Sequence, residues 1–176
     1  GFEVGGRGGV LELHMIDVGQ GDALALRTPA GRWVLFDAGR SWSGGDAGRS
    51  TIVPYLRRRG GALHAFVLSH PHSDHVGGGA STLAAMRASA YWDGAYVMGS
   101  DPYRASLEEA ARLRIAWHRV HPGDSLSLDG VRIRFLAPDS AWAASLTDPN
   151  EASAVAVIQY DQVRFLMTGD AEAGEE

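Results

Sequence analysis

The sequence predicts an α/β fold in which β-sheets are layered and helices lie on the outside. Short apolar segments with strand-like alternation come in groups, helical segments are inserted between the groups, and the chain has no internal repeat. The strands and helices do not alternate regularly, so a simple parallel winding is not predicted. With 176 residues, of which 45% are hydrophobic and 21% charged, the chain is expected to form one domain with its own core.

The first predicted elements are three strands joined by short turns. Alternating apolar residues predict strands over 11–18, 23–27 and 33–37. The segment Pro29-Ala30-Gly31 has the residue types of a tight turn and separates the second strand from the third. We therefore predict an antiparallel meander.

A helix and a buried strand come next. The helix is predicted over 50–59, with Ser50 as its N-cap and Gly60 just past its end. Pro54 has to lie in the first turn, because proline breaks a helix interior. The apolar segment 66–69 is typical of a buried strand, and it leads directly into a histidine-rich segment.

The remaining elements complete the layered arrangement. Asp101-Pro102 predicts a helix start, with an acceptor at the N-cap and proline at the first helical position. Asp161-Gln162 predicts a two-residue hairpin turn between the last two strands. The predicted helices are 80–89 and 101–117, and the predicted strands are 95–98, 131–136, 155–160 and 163–167.

Composition and charge exclude some classes of site. The chain has no cysteine, which excludes disulfides, thiolate metal sites and a cysteine nucleophile. The formal net charge of −5 gives no general attraction for nucleic acid, although bound divalent cations would add local positive charge. No apolar run has the length of a transmembrane helix. Residues 1–9 are rich in glycine and predict a flexible linker before a domain over residues 10–176.

The strongest functional signal is the segment His70-Pro71-His72-Ser73-Asp74-His75. Three imidazoles and one carboxylate fall within six residues, and these groups are good ligands for zinc-like ions. His70 and His72 point the same way if the backbone is extended, because side chains alternate along a strand. Asp74 and His75 could then serve a second ion, since paired ions in hydrolytic sites lie about 3.5–4 Å apart.

Each of these residues also has a structural interpretation. The segment could be a histidine-rich surface loop, but such a loop needs no apolar strand before it and no glycine cluster after it. A serine nucleophile at Ser69 or Ser73 is disfavoured, because the Gly-x-Ser-x-Gly elbow is missing from the sequence. Asp37 could orient the histidines, but the sequence favours a turn-capping role before Ala38-Gly39.

The histidine segment, with Val76-Gly77-Gly78 after it, resembles the H-x-H-x-D-H signature of the metallo-β-lactamase superfamily. Three further stretches agree in order and spacing with that family: Phe36-Asp37-Ala38-Gly39, Leu68-Ser69 and Met167-Thr168-Gly169-Asp170. A narrower resemblance links the chain to the branch that contains the C-terminal domain of ComEC-type DNA-internalisation competence proteins. It rests on the segments 16–22, 122–128, 150–153 and 166–172.

The resemblance implies an αββα sandwich and a hydrolase that uses metal-activated water. It implies that His70 and His72 hold one divalent ion, zinc or manganese, that Asp74 and His75 hold a second, and that Asp170 bridges the two. Asp74 is the expected catalytic residue. The ComEC branch implies a DNA phosphodiester substrate, a transmembrane parent protein, and a location on the extracytoplasmic face of the cytoplasmic membrane.

The chain departs from the family pattern in its last part. Glu151 stands where the branch often has a second asparagine, and the family's last histidine ligand lies beyond the bridging aspartate. Because the chain ends six residues after Asp170, we expect a sandwich truncated at its C-terminal end, with an incomplete ligand set. Two alternatives stay open: a stand-alone hydrolase of a small ester, lactone or phosphodiester, and a metal-binding domain without catalysis.

Overall fold

The computed structural model describes residues 1–96, 100–137 and 153–169. A seven-stranded mixed sheet organises the first two thirds of the chain, with the strand order β1-β2-β3-β4-β7-β8-β9. β1 to β4 are antiparallel neighbours, while β4, β7, β8 and β9 run parallel. The strands are β1 (Phe2–Gly6), β2 (Gly9–Met15), β3 (Leu24–Arg27), β4 (Trp33–Phe36), β7 (Leu63–Val67), β8 (Ala90–Asp93) and β9 (Ala116–Arg119).

Helical connections join the parallel strands, as parallel pairing requires. A π-helical turn, Gly48–Ile52, runs directly into the first helix after β4. The short strands β5 (Ser41–Trp42) and β6 (Gly45–Asp46) form a separate hairpin before that turn. The helices are α1 (Val53–Arg59), α2 (Ser73–Val76), α3 (Gly79–Met86) and α4 (Asp101–Arg112). Among the described residues, no helix is long and apolar enough to cross a membrane.

A second sheet of four antiparallel strands packs against the first. Its strand order is β10-β11-β12-β13. Two-residue turns connect β10 to β11 and β12 to β13; Asp129, Gly130 and Asp161 in these turns have positive φ, as tight hairpins require. The strands are β10 (Ser125–Leu128), β11 (Val131–Ala137), β12 (Val155–Tyr160) and β13 (Val163–Met167).

Two hydrophobic cores lie on opposite faces of the first sheet. Alternation along β4 sends Trp33 and Leu35 into the core beneath the helices, and Val34 and Phe36 into the core between the sheets. The order of layers is therefore helices, mixed sheet, second sheet. Within the described residues no helix covers the outer face of the second sheet, so three layers of the predicted α/β sandwich are seen.

Polar contacts tie the two sheets together at one end. Asp129, in the β10–β11 turn, accepts hydrogen bonds from Thr28 Oγ1 and from Arg32 Nε at 2.9 Å. Tyr160 Oη donates to the carbonyl of Gly9 at 3.0 Å. A Cβ built on Gly6 would lie 2.6 Å from the ring of Tyr160, so only glycine allows β1 to approach β12 this closely.

Several elements predicted from the sequence are confirmed. These are the meander β2-β3-β4, the glycine C-cap at Gly60, the three strands β11, β12 and β13, and the hairpin turn at Asp161-Gln162. The helix predicted over 80–89 corresponds to α3, and the buried strand predicted over 66–69 corresponds to β7, which begins and ends earlier.

Other predictions were wrong, for identifiable reasons. The segment predicted as a linker, residues 1–9, contains β1, because sheet pairing with β2 outweighs its glycine content. Ser50 caps no helix; it lies within the π-helical turn, where its hydroxyl donates to the carbonyl of Asp46. The strand predicted over 95–98 lies earlier, as β8, and residues 97 and 98 are outside the described residues.

The helix predicted over 101–117 is shorter in the structure. α4 ends at Arg112, and residues predicted as its last turn form β9, the edge strand of the first sheet. The N-cap is Ser100, whose Oγ accepts from Tyr103 N at 3.4 Å, and Asp101 is the first helical residue. Trp117 Nε1 donates to the buried Asp93 carboxylate at 3.0 Å, a tertiary contact that favours the extended conformation.

Candidate metal centre

The histidine segment follows the carboxyl end of β7, one of the parallel strands of the first sheet, with Leu68 and Ser69 between them. Ser69 and His70 are buried, and the backbone is still extended at His72, the N-cap of α2. α2 then carries Asp74 and His75. The end of β7 and the single turn of α2 thus bring the ligand-type side chains of the segment close together.

The three imidazole rings lie next to one another. The ring centroids of His70 and His72 are 4.9 Å apart, and those of His70 and His75 are 4.0 Å apart. Asp74 is half-buried and lines a cleft beside His72. The predicted bridging residue, Asp170, lies outside the described residues. A Cβ built on Gly169, the residue before it, would be 2.9 Å from Ser69 Cβ, so the end of β13 reaches the histidine segment.

Asp37 organises the centre from behind. Its carboxylate accepts from Ser69 N at 2.8 Å, from Ser69 Oγ at 2.6 Å and from His75 Nδ1 at 2.8 Å. The residue is 4% exposed and has φ of 58°, an uncommon value that aspartate tolerates better than most side chains. The sequence favoured a turn-capping role for Asp37. The structure instead shows the Asp37 carboxylate bonded to His75, so it orients a histidine of the cluster.

A further hydrogen bond of the Ser69 hydroxyl extends this network. Ser69 Oγ lies 3.0 Å from His70 Nδ1. With the Nδ1 atoms of His70 and His75 both turned toward Ser69 and Asp37, Nε2 is the atom that each ring would offer to an ion. Orienting ring nitrogens from behind in this way is characteristic of metal-ligating histidines.

Glycines let neighbouring backbone press directly on the segment. A Cβ on Gly77 would lie 2.1 Å from Ser41 N, and one on Gly21 would lie 1.7 Å from the carbonyl oxygen of Asp74. Neither distance is compatible with a side chain. The β2–β3 turn and the start of the β5–β6 hairpin therefore close on the segment from two sides, which explains why Gly77 follows the histidines.

Tyr96 and Ser100, which lie in the connection between β8 and α4, contact the segment from a third side. Tyr96 Oη donates to the Ser69 carbonyl, and Ser100 Oγ donates to the Pro71 carbonyl at 2.8 Å. Asp93 anchors the start of this connection: its carboxylate accepts from Trp117 Nε1 and from Ala95 N. Burial raises the pKa of Asp93 above its usual value, and these hydrogen bonds oppose the shift only in part.

The chemistry of the donor set fits a divalent ion such as zinc, because neutral imidazoles with carboxylate oxygen are its usual protein ligands. The geometry is less complete. Within residues 1–96, 100–137 and 153–169, no group of three or more histidine or acidic side chains is arranged to hold an ion. The described residues thus bring together and orient three imidazoles, while a full ligand set is not formed by them alone.

An open cleft of about 450 Å³ lies over the segment. It is mainly polar, so ligands with hydrogen-bonding or charged groups suit it better than apolar ones. The lining residues are Gln20, Arg40, Ser41, His72, Ser73, Asp74 and Ser100. Sequence reasoning missed Arg40, Tyr96 and Ser100, because Arg40 lies between β4 and β5, Tyr96 and Ser100 lie between β8 and α4, and no local spacing connects them to the histidines.

Comparison with known families agrees with this geometry. Residues 32–176 match the model of the β-lactamase superfamily domain. The histidine segment and the four parallel strands of the first sheet lie inside the matched range, and β1, β2 and β3 precede it.

Individual proteins are also similar to this chain. Recombination protein 2 of Haemophilus influenzae is 31% identical over 169 residues, covering 94% of this chain and 19% of that protein. ComE operon protein 3 of Bacillus subtilis is 26% identical over 174 residues, covering 92% of this chain and 22% of that protein. The chain thus spans about a fifth of the length of these relatives. A solved β-lactamase from Chitinophaga pinensis has the same fold, with a TM-score of 0.57, 20% identity, and coverage of 88% of this chain and 58% of that one.

Proposed function

Because the chain belongs to the β-lactamase superfamily, we propose that it is a metal-dependent hydrolase whose metal centre forms on the histidine segment that follows β7. The observation that carries the proposal is the cluster of His70, His72 and His75, with Asp37 and Ser69 engaging the Nδ1 atoms of two of the rings. A merely structural loop has no need of three adjacent imidazoles, two of which are oriented by a buried carboxylate and the serine bonded to it.

His70 and His72 are proposed to hold one ion, and Asp74 with His75 a second. Asp170 is proposed as the bridging ligand, which is supported by the contact between Gly169 and Ser69. Zinc or manganese bound there would supply a Lewis acid and a water that is nucleophilic near neutral pH. The chain's own contribution is to orient the ligands through Asp37 and to keep the Ser69–Asp37 side of the centre buried.

Asp74 is the proposed catalytic residue. It is half-buried at the floor of the open cleft, where its carboxylate can meet a substrate. The backbone of Gly21 packs on the Asp74 backbone and fixes its position. A carboxylate held there can both ligate and accept a proton from the attacking water.

The proposed substrate is a DNA phosphodiester. Support comes from two relatives, one named a recombination protein and one named for the ComE operon. The cleft is open and polar, which suits a chain-like anionic substrate more than a buried apolar one. The net charge of −5 provides no general field for DNA, so binding is expected to be weak, salt-sensitive and independent of sequence.

The test is a cleavage assay of the purified full-length protein with manganese or zinc. Single-stranded DNA, double-stranded DNA, a generic phosphodiester and a lactone are compared. Asp74→Ala is expected to abolish metal-dependent cleavage, whereas Glu108→Ala, an exposed acidic residue on α4, is expected to leave it unchanged.

The outcomes separate the alternatives. Turnover of the lactone without DNA cleavage would reject the nuclease and indicate a small-molecule hydrolase. Metal binding without turnover of any substrate would indicate a non-catalytic metal domain. Activity of Asp74→Ala equal to that of the unaltered protein would remove Asp74 from the centre.

A further inference from the structure

Arg40 is the only arginine or lysine among the described residues that line the cleft above the histidine segment. It is exposed and lies at the base of the β5–β6 hairpin, where its carbonyl accepts from Ala47 N at 2.9 Å. His72 and Asp74 line the same cleft. A cationic side chain therefore shares an open space with the proposed catalytic residue.

The guanidinium of Arg40 is supported by uncharged neighbours. Its Cζ lies 5.6 Å from the ring centroid of Trp42, and Nη1 donates a long hydrogen bond of 3.4 Å to Gln20 Oε1. Within the described part of the chain, Arg40 forms no ion pair with an acidic side chain. A guanidinium that is held in place but not neutralised keeps its planar set of donors for an anionic ligand.

The backbone position of Arg40 relative to the histidine segment is fixed. A Cβ on Gly77 would lie 2.2 Å from the carbonyl carbon of Arg40 and 2.6 Å from its Cα. The base of the β5–β6 hairpin thus contacts Gly77, which directly follows α2 and lies two positions after His75. Any substrate group bound by Arg40 would be held at a constant offset from the centre.

We propose that Arg40 binds a phosphate of the substrate adjacent to the one under attack, and so selects phosphodiesters over uncharged esters and lactones. This inference rests on the proposed function. The protein's net charge is negative, so a local cation beside the centre would add to the attraction that bound divalent ions exert on a polyanion. Arginine suits the role because its fork matches two phosphate oxygens at once.

Trp42 acts as a support for Arg40 in this scheme. The indole is 44% exposed, and a Cβ on Gly45 would lie 3.0 Å from its Nε1 and Cε2 atoms, so the ring rests against the hairpin backbone. With Gly45 packed against the ring and Arg40 over it, Trp42 is poorly placed as a stacking platform for a base. Recognition is therefore of the backbone, and bases contribute little.

The test measures binding of a fluorescein-labelled single-stranded oligonucleotide by anisotropy, in EDTA and over a range of salt concentrations. An abasic strand of equal length is the second probe. Arg40→Ala should weaken binding of both strands about tenfold, the scale of one lost charge-assisted contact. It should also reduce the slope of log affinity against log salt by about 0.7, the value for one phosphate contact on a single strand.

Three further variants make the result specific. Arg58→Ala removes an exposed arginine of α1 that lies outside the cleft, and it should change affinity by about twofold or less. Arg40→Lys should recover the salt slope and part of the affinity, because it keeps the charge but loses the fork. Trp42→Leu should give an intermediate loss. In cleavage assays, Arg40→Ala should raise KM with little effect on kcat.

The outcomes distinguish this inference from the function on which it rests. An unaltered protein that binds neither strand in EDTA and cleaves no DNA with manganese or zinc would overturn the DNA substrate itself. Binding by the unaltered protein, together with an unchanged affinity and salt slope in Arg40→Ala, would overturn the role of Arg40 alone. A loss confined to the strand that carries bases would also overturn it, because the contact would then be to bases.

Discussion

Replacing Asp37 by asparagine tests whether the buried carboxylate behind the histidines orients them. Asparagine keeps the size of the side chain and tolerates the positive φ of 58° at this position, so the backbone is expected to remain in place. One oxygen can still accept from Ser69 N. The amide nitrogen, however, would face Ser69 Oγ and His75 Nδ1, both of which lie close to Asp37 Oδ2 at 2.6 and 2.8 Å.

The expected loss of stability follows from these two contacts. The Asp37 side chain is 5% exposed, so water cannot readily replace the lost hydrogen bonds. A buried donor left without an acceptor costs about 1–3 kcal/mol, which gives roughly 2–6 kcal/mol for the two contacts together. A domain of this kind has about 5–15 kcal/mol of stability, so the variant is expected to fold at room temperature.

The expected loss in metal affinity is separate. Disturbing the group that holds a ligating histidine typically lowers affinity about 10–100-fold. Urea unfolding of the metal-free protein gives the first quantity, and competition with a chromophoric zinc chelator gives the second. Asp17→Asn is the matched control: Asp17 is exposed and accepts only from Gly19 N at 3.0 Å among the described contacts, so it should change stability by about 0.5 kcal/mol or less.

A particular pair of results would refute the reasoning. If Asp37→Asn unfolds at the same urea concentration as the unaltered protein, the buried hydrogen bonds do not contribute as argued. If it is destabilised but binds zinc with unaltered affinity, Asp37 supports the fold alone, and the histidines do not need its orientation.

Two further predictions concern the surroundings of the centre. Burial raises the pKa of Asp93 in the folded protein, and nearby Arg119 limits this shift. The contribution of Asp93 to stability is therefore fully present below the unfolded pKa of about 3.9, and it is lost as pH rises through the folded pKa. The stability of Asp93→Asn relative to the unaltered protein should therefore increase between about pH 4 and pH 7 in urea unfolding, and a difference independent of pH would contradict this. Gly77→Ala should destabilise the protein by more than about 3 kcal/mol in the same assay, because the new Cβ would lie 2.1 Å from Ser41 N. Gly5→Ala is the control and should not do so, because no atom lies within 4 Å of a Cβ at that position. Equal effects of the two substitutions would contradict the close approach at Gly77.

The sequence predicted most of the elements whose signals are local. The meander, the last hairpin and the histidine segment all depend on short-range patterns: alternation along a strand, a two-residue turn, and ligand-type residues within six positions. The layering of sheets with helices outside was predictable from the grouping of strands and helices, whereas the αββα sandwich was predicted from the family resemblance.

Features created by long-range packing were not predictable in this way. β1 has the composition of a linker and becomes a strand only because β2 is available to pair with it. β9 continues a helical pattern, and its sheet pairing with β8 overrides that pattern. The role of Asp37 depends on a contact with His75, 38 positions away, and turn-forming residues around it suggest a simpler explanation.

The tie between Tyr160 and Gly9 has a consequence for how the chain reaches its folded state. The two residues are 151 positions apart, and Arg32 contacts Asp129 across 97 positions. Contacts between such distant positions slow folding, since a large loop must close before they stabilise anything. During synthesis, the face of the first sheet that bears Leu26 and Val34 stays uncovered until the strands of the second sheet have been made. We therefore expect slow folding with an exposed apolar intermediate, and a need for chaperones when synthesis outpaces closure of the sandwich.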